Sequence, residues 1–269
     1  LAEITKARLD EIYERFNRRE FVHPDPLEFL YSYDDPCDRE LVGLIASSLA
    51  YGRVIQILRS VSEVLEKMPS PSAFLGDATP RSLARAFRGF KHRFTTVEDL
   101  VGLLLGARDV IDRFGSLEAC FVSGLREEHD TVLPALSVFA GEIISGSGCS
   151  RNSLLPSPAV GSACKRLNLF LRWMVRHDEV DPGGWNLVPA SKLIVPLDTH
   201  MHRICLALGF TGRRQANMRT AMEATAAFRE IVPEDPTRYD FALTRFGIRD
   251  DLEPRAWLPK LRTRGRVCA

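Results

Sequence analysis

The chain has 269 residues, of which 45% are hydrophobic and 26% charged, and its 36 Lys/Arg stand against 35 Asp/Glu, a net charge of +1. This composition suits a globular protein with an ample core; with no run of about eighteen apolar residues and no basic-then-apolar leader, membrane insertion and secretion are not expected, and the cytoplasm is the default compartment. Six cysteines (Cys37, Cys120, Cys149, Cys164, Cys205, Cys268) are scattered without a C-x-x-C pair, so they are expected to be reduced rather than part of a disulfide framework or a thiolate metal site.

Residues 1–20 alternate charged and apolar positions at helical spacing and predict a surface helix. His23-Pro24-Asp25-Pro26 breaks it, because residues before proline are pushed out of the helical region. Residues 38–68 then carry a long apolar face, including Leu41, Leu44, Ile45, Ile57, Val61 and Val64, which Gly52 is expected to interrupt. Residues 69–80 read as a turn-rich linker, and helices are expected over 81–87, 97–114, 117–125 and 129–144. Phe90-Lys91-His92-Arg93-Phe94 reads either as a loop pinned by its aromatics or as a nucleic-acid edge. Residues 145–150 are expected to form a flexible loop.

The turn from Pro156 to Gly161 ends in glycine and precedes a helix expected over 162–176. Such a turn lets backbone approach an outside group, and the helix N-terminus behind it offers free N–H groups to an anion. In that helix Ala163, Cys164, Leu167, Phe170, Leu171 and Met174 make an apolar stripe, while Lys165, Asn168, Arg172 and Arg176 fall within a narrow wedge opposite. The wedge reads as a basic face for a polyanion such as DNA. Charge asymmetry agrees with this: residues 151–269 hold 19 Lys/Arg against 12 Asp/Glu, and residues 1–150 hold 17 against 23. After a loop containing Pro182-Gly183-Gly184, Asp198 fits the N-cap of a helix over 199–208 that Gly209 ends. His200 and His202 point about 200° apart on that helix and do not form a metal site by themselves. A basic turn over 211–217, helices over 218–231 and 237–246, the latter ended by Gly247, and an irregular basic tail over 249–269 complete the chain. Without sustained period-two alternation the expected fold is all-α: one unit of two helical lobes, roughly 1–150 and 151–269, with the hairpin between them.

The Pro/Gly hairpin, the lysine in the helix after it and PLDTH before the next helix resemble the helix-hairpin-helix superfamily of DNA glycosylases. The 33 residues from Lys165 to Asp198 are most similar to the archaeal 8-oxoguanine DNA glycosylases and to bacterial relatives of these that carry GSACKRLN, FLRWMVR and PLDTH. The hairpin departs from the common LPGVGRK pattern, since Lys165 lies four residues after Gly161 and Ala159 stands where the first glycine is usual. The resemblance implies a lysine nucleophile, Lys165, with Asp198 as its partner. DNA contacts are expected from Gly161, Ser162, Arg166, Arg172, Arg176 and His200. A base pocket is expected from Tyr51, Arg53 and Gln56, since LIASSLAYGRVIQI occupies the place of the superfamily's LLSxQ helix, together with Trp173 and Asp240; Trp185 is a further stacking candidate. No cofactor is implied, and no iron–sulfur cluster, because only Cys268 lies where members with a cluster carry four cysteines.

A lysine that attacks the sugar must be neutral, and Arg172 and Arg176 are expected to favour that state, while an anionic aspartate stabilises the charge that develops on the sugar. The function expected is a base-excision glycosylase with AP lyase activity on an oxidised purine such as 8-oxoguanine, acting as a monomer on damaged duplex DNA in the nucleoid. Two readings stay beside it: a non-catalytic helix-hairpin-helix DNA-binding protein, and a helical protein-interaction scaffold.

Overall fold

The computed structural model describes residues 2–148, 151–158 and 161–248. Among them are twelve α-helices: α1 (Ala2–Phe16), α2 (Pro36–Ser48), α3 (Val54–Leu65), α4 (Pro71–Gly76), α5 (Pro80–Ala86), α6 (Val97–Phe114), α7 (Leu117–Ser123), α8 (Leu133–Gly146), α9 (Lys165–Val175), α10 (Thr199–Leu208), α11 (Met218–Ile231) and α12 (Asp240–Ile248). A two-stranded antiparallel hairpin, β1 (Lys91–His92) and β2 (Thr95–Thr96), sits between α5 and α6. No helix among the described residues is long and apolar enough to cross a membrane. Cys149, Ala159, the tail over 249–269 and Cys268 lie outside the described residues.

Local chemistry sets the helix boundaries. The Asp35 carboxylate accepts from the N–H groups of Cys37 and Asp38 with Pro36 in the first turn, so α2 starts there. Gly52 has φ +100, and this left-handed residue turns the chain from α2 into α3, the interruption expected of it. Asn217 caps α11 through the Thr220 N–H. The expected linker over 69–80 contains α4 instead, because Pro71 at its first turn is pre-set for a helix and buries itself beside Leu75. The expected helix starts at 129 and 162 are early: α8 begins at Leu133 and α9 at Lys165.

Helix α2 is the central element, buried on nearly every side and packed against α9, α4 and a 3-10 turn over Pro26–Ser32. Gly43 permits the approach of α9, since a Cβ there would lie 3.2 Å from Phe170 and Met174 atoms. Trp185, buried among Phe121, Phe139 and Phe170, donates to Glu40 Oε1 at 2.6 Å. Glu40 also accepts from the Leu117 and Glu118 N–H groups and so caps α7, while burial pushes its carboxyl pKa up. The core is contiguous, and α1 packs on α11 and α12. A lobe boundary at residue 150 therefore does not divide the packing.

The expected basic face is not a surface. Asn168, Arg172 and Arg176 are 1%, 2% and 5% exposed. Arg172 pairs with Asp181 at 3.1 Å and with Asp240, and Arg176 pairs with Asp178 and Asp235, each at 2.8 Å, and with Asp181. The periodicity was compatible with one shared face. What inverts its meaning is acid supplied from elsewhere, from the 176–185 loop, the α11–α12 turn and α12. Arg172 and Arg176 are thus structural, not DNA contacts. Trp173 is also core, 1% exposed, with an Nε1 that has no partner. Removing one member leaves buried charge uncompensated: Arg172→Ala should lose about 3–5 kcal/mol in urea denaturation, whereas the exposed Arg59→Ala should stay within about 0.5 kcal/mol. A loss below about 1 kcal/mol for Arg172→Ala would show that the network does not hold the fold.

Candidate functional site

Residues 161–164 are a non-helical approach to α9. Gly161, exposed with φ +76, donates its N–H to the Pro158 carbonyl at 3.0 Å, and a Cβ there would meet open space. Ser162 forms an isolated antiparallel bridge with Asn217, and Met218 N–H donates to Gly161 O at 3.2 Å. Cys164 is left-handed, φ +47, and its N–H donates to Ser162 Oγ. The turn is therefore anchored on the N-terminus of α11, and Lys165 becomes the first residue of α9.

From there the Lys165 side chain leaves the helix toward two acceptors. Its Nζ lies 3.7 Å from Asp198 Oδ2 and donates to the Ala50 carbonyl at 3.4 Å, with side-chain exposures of 31% for Lys165 and 25% for Asp198. Asp198 is the N-cap of α10, its Oδ1 accepting from the His200 and Met201 N–H groups at 2.8 Å. The cap thus uses one oxygen and leaves the other toward Lys165. A loose, half-exposed ion pair of this kind can open to admit a group between its members, which a tight buried pair cannot.

Arg166, the next residue, points elsewhere. Its guanidinium donates to the Ser48 and Ser153 carbonyls, each at 2.9 Å, and stands 4.9 Å from the Tyr51 ring centroid, and its pKa is lowered by burial. It ties α9 to the end of α2, where unpaired carbonyls and the negative end of the helix dipole receive a cation. This occupation, like the burial of Arg172 and Arg176, takes Arg166 out of the expected DNA-contacting set.

The expected base pocket is only partly assembled. Tyr51 is pinned: its OH donates to the His92 carbonyl at 2.9 Å and lies 2.6 Å from Thr95 Oγ1, and its ring is covered by Phe94, stacked at 5.0 Å, beside Arg166. Arg53 and Gln56 are exposed at the start of α3, and His200 is half-buried in the first turn of α10. Trp173 and Trp185 are in the core. Asp240 is 3% exposed and bound to Arg172 rather than open to a ligand.

Asp240 still bears on the site. Burial raises its pKa to about 6, against the pull of Arg172 and with a further push from the charge of Asp198. Two arginines face four carboxylates in this network (Asp178, Asp181, Asp235, Asp240), and Asp240 Oδ1 has no hydrogen-bond partner. The residues missed in the sequence, Asp178, Asp181 and Asp235, had one signal, the clustering of acids in HDEVD and PEDP beside an arginine-bearing helix.

A group whose folded pKa is raised contributes stability below its unfolded value and loses it as pH rises through the folded one. Asp240→Asn should match wild type near pH 4 and gain on it between about pH 4 and 6, by up to about 3 kcal/mol, read as the difference in melting free energy across a pH series. A difference that stays flat, or moves toward wild type, would mean that Arg172 keeps Asp240 ionised throughout. At Asp198, Asn preserves the cap and Ala removes it, so thermal melts should place Asp198→Ala about 1 kcal/mol below Asp198→Asn; equal melts would deny the cap.

A family model described as "Protein of unknown function (DUF2400)" matches residues 25–249. No curated protein and no solved structure matches the chain. The matched span contains α2 through α12 and both members of the Lys165–Asp198 pair, and the chain belongs to the DUF2400 family.

Proposed function

We propose that this protein is a DNA glycosylase with AP lyase activity that removes an oxidised purine, such as 8-oxoguanine, from duplex DNA. The observation that carries the reading is the pairing of Lys165 Nζ with Asp198 Oδ2 at 3.7 Å, half-exposed, at the first residue of one helix and the cap of another. A lysine after a Pro/Gly turn or an aspartate before a helix is common, but their meeting across 33 residues of chain is not required by capping. On this reading 154–203 is an irregular helix-hairpin-helix that grips the phosphate backbone through the exposed Gly161 and the half-buried Ser162 beside it, and the protein acts as a monomer in the nucleoid.

The chemistry follows from the groups present. Substrate entry parts Lys165 from Asp198, the ammonium gives up a proton to solvent, and the neutral amine attacks C1′ of the extruded nucleotide. As the C1′–N bond breaks, the base departs with its electron pair and positive charge grows on the sugar, where the Asp198 carboxylate stabilises it. The C1′–O4′ bond then breaks, O4′ taking up a proton as Nζ loses one, which leaves an imine to Lys165 Nζ; loss of a C2′ proton to solvent then expels the 3′ phosphate with its bonding pair by β-elimination. Arg172 and Arg176, neutralised by their carboxylates, contribute position rather than charge to this step.

Borohydride reduces the imine to a stable amine, so wild type should be trapped on duplex containing 8-oxoguanine, and Lys165→Gln should not. Lys192 is the control: its Nζ donates to the Arg126 and Glu127 carbonyls at 3.0 and 2.8 Å, and Lys192→Gln should trap as wild type does. Trapping that survives Lys165→Gln would assign the wrong lysine, and no trapping across a panel of lesions would favour a non-catalytic DNA-binding protein.

A further inference from the structure

We propose that the segment from Arg81 to Phe94 is a track for the DNA strand that enters the Lys165–Asp198 site, replacing the basic face that the fold buries. The proposal rests on the glycosylase reading above. Residues 80–96 hold five Lys/Arg and no Asp/Glu, although they lie in the half of the chain where acids outnumber bases. Arg81 and Arg85, one turn apart on α5, and Arg88 just past its end are all exposed and, with Ala84, line one open hollow. Among the described residues no ion pair engages any of the three, whereas Arg113, Arg172, Arg176, Arg213 and Arg245 each hold a carboxylate. Guanidinium groups gathered without counter-charge repel one another and are relieved by a polyanion.

The hairpin follows α5 in the chain and meets Tyr51, the residue after Ala50, through Phe94. His92 is buried, with Nδ1 at 2.9 Å from Ser60 Oγ and Nε2 at 3.0 Å from the Tyr51 carbonyl, and Thr95 Oγ1 lies 2.7 Å from Ser153 Oγ. Those inward residues fix the outward ones. Lys91 and Arg93 are exposed, and Phe94 is 63% exposed while stacked on Tyr51. The residue before Tyr51 is Ala50, whose carbonyl accepts from Lys165 Nζ. A fixed aromatic face flanked by cations, in the same acid-free segment as an arginine hollow, is the chemistry of a strand track, with phosphates on the arginines and a base on the ring. An adventitious apolar tip would have no reason to be bolted down on its inner side by His92 and Thr95.

The test measures binding of the full chain to a fluorescent duplex carrying a stable abasic-site analogue, across a salt series, beside borohydride trapping. Removing three phosphate contacts with Arg81→Ser/Arg85→Ser/Arg88→Ser should lower the slope of log affinity against log salt by roughly 2–3 while leaving the melting curve unchanged. Phe94→Ala should weaken binding about 5- to 100-fold with an unaltered slope, and Phe94→Trp should restore it. A triple variant with wild-type affinity and slope overturns the track, as does a wild type that binds no DNA. If wild type binds through these arginines yet nothing is trapped, the track stands and the Lys165 chemistry falls. Trapping that depends on Lys165 but ignores the triple variant gives the reverse.

Discussion

Arg172 and Arg176 tie together stretches of chain that lie far apart in the sequence. Their guanidinium groups meet Asp178 and Asp181 in the loop after α9, Asp235 in the turn between α11 and α12, and Asp240 at the start of α12. Buried ion networks of this kind add little net stability over an apolar core, but they are costly to break and admit few alternative arrangements. Here they determine where α9 lies relative to the C-terminal helices. Tyr13 of α1 extends the network, its OH donating to Asp178 at 2.9 Å, which helps hold the first helix against the last.

The site inherits its geometry from that constraint. The C-terminal half of α9 is locked by its arginines and its N-terminal half is tied to α2 by Arg166 and the close approach at Gly43, and from there Lys165 reaches toward the end of α2 and the cap of α10. Asp198 is held by its own capping bonds. The pair is therefore a product of rigid helix ends and not of a loop, the arrangement that best preserves a fixed distance. Its half-exposure leaves a route for a ligand from solvent.

Much of this was legible in the sequence, and the rest failed for identifiable reasons. Helices with strong local caps, α6, α10 and α11, fall where capping residues and apolar period place them, and Asp198 was readable as a cap because Asp, helix and Gly209 stand in order. The Lys165–Asp198 contact was readable only through a resemblance, since no local rule joins residues 33 apart. Arg172 and Arg176 misled because periodicity tells which residues share a face but not what that face meets; their partners come from other elements. Tyr51 was singled out for its place in a motif, yet the aromatic left exposed is Phe94, whose accessibility depends on a hairpin too short to leave an alternating pattern. The early helix start at 162 was overridden by the tertiary bridge from Ser162 to Asn217 and the left-handed Cys164.

In the proposed reaction Lys165 Nζ bonds to the sugar. Proteolysis of the borohydride-reduced protein–DNA adduct, followed by mass spectrometry, reads the modified residue directly without any substitution. The reduced sugar remnant is expected on the peptide containing Lys165. Its presence on another lysine, or on the chain's amino terminus, would contradict that assignment.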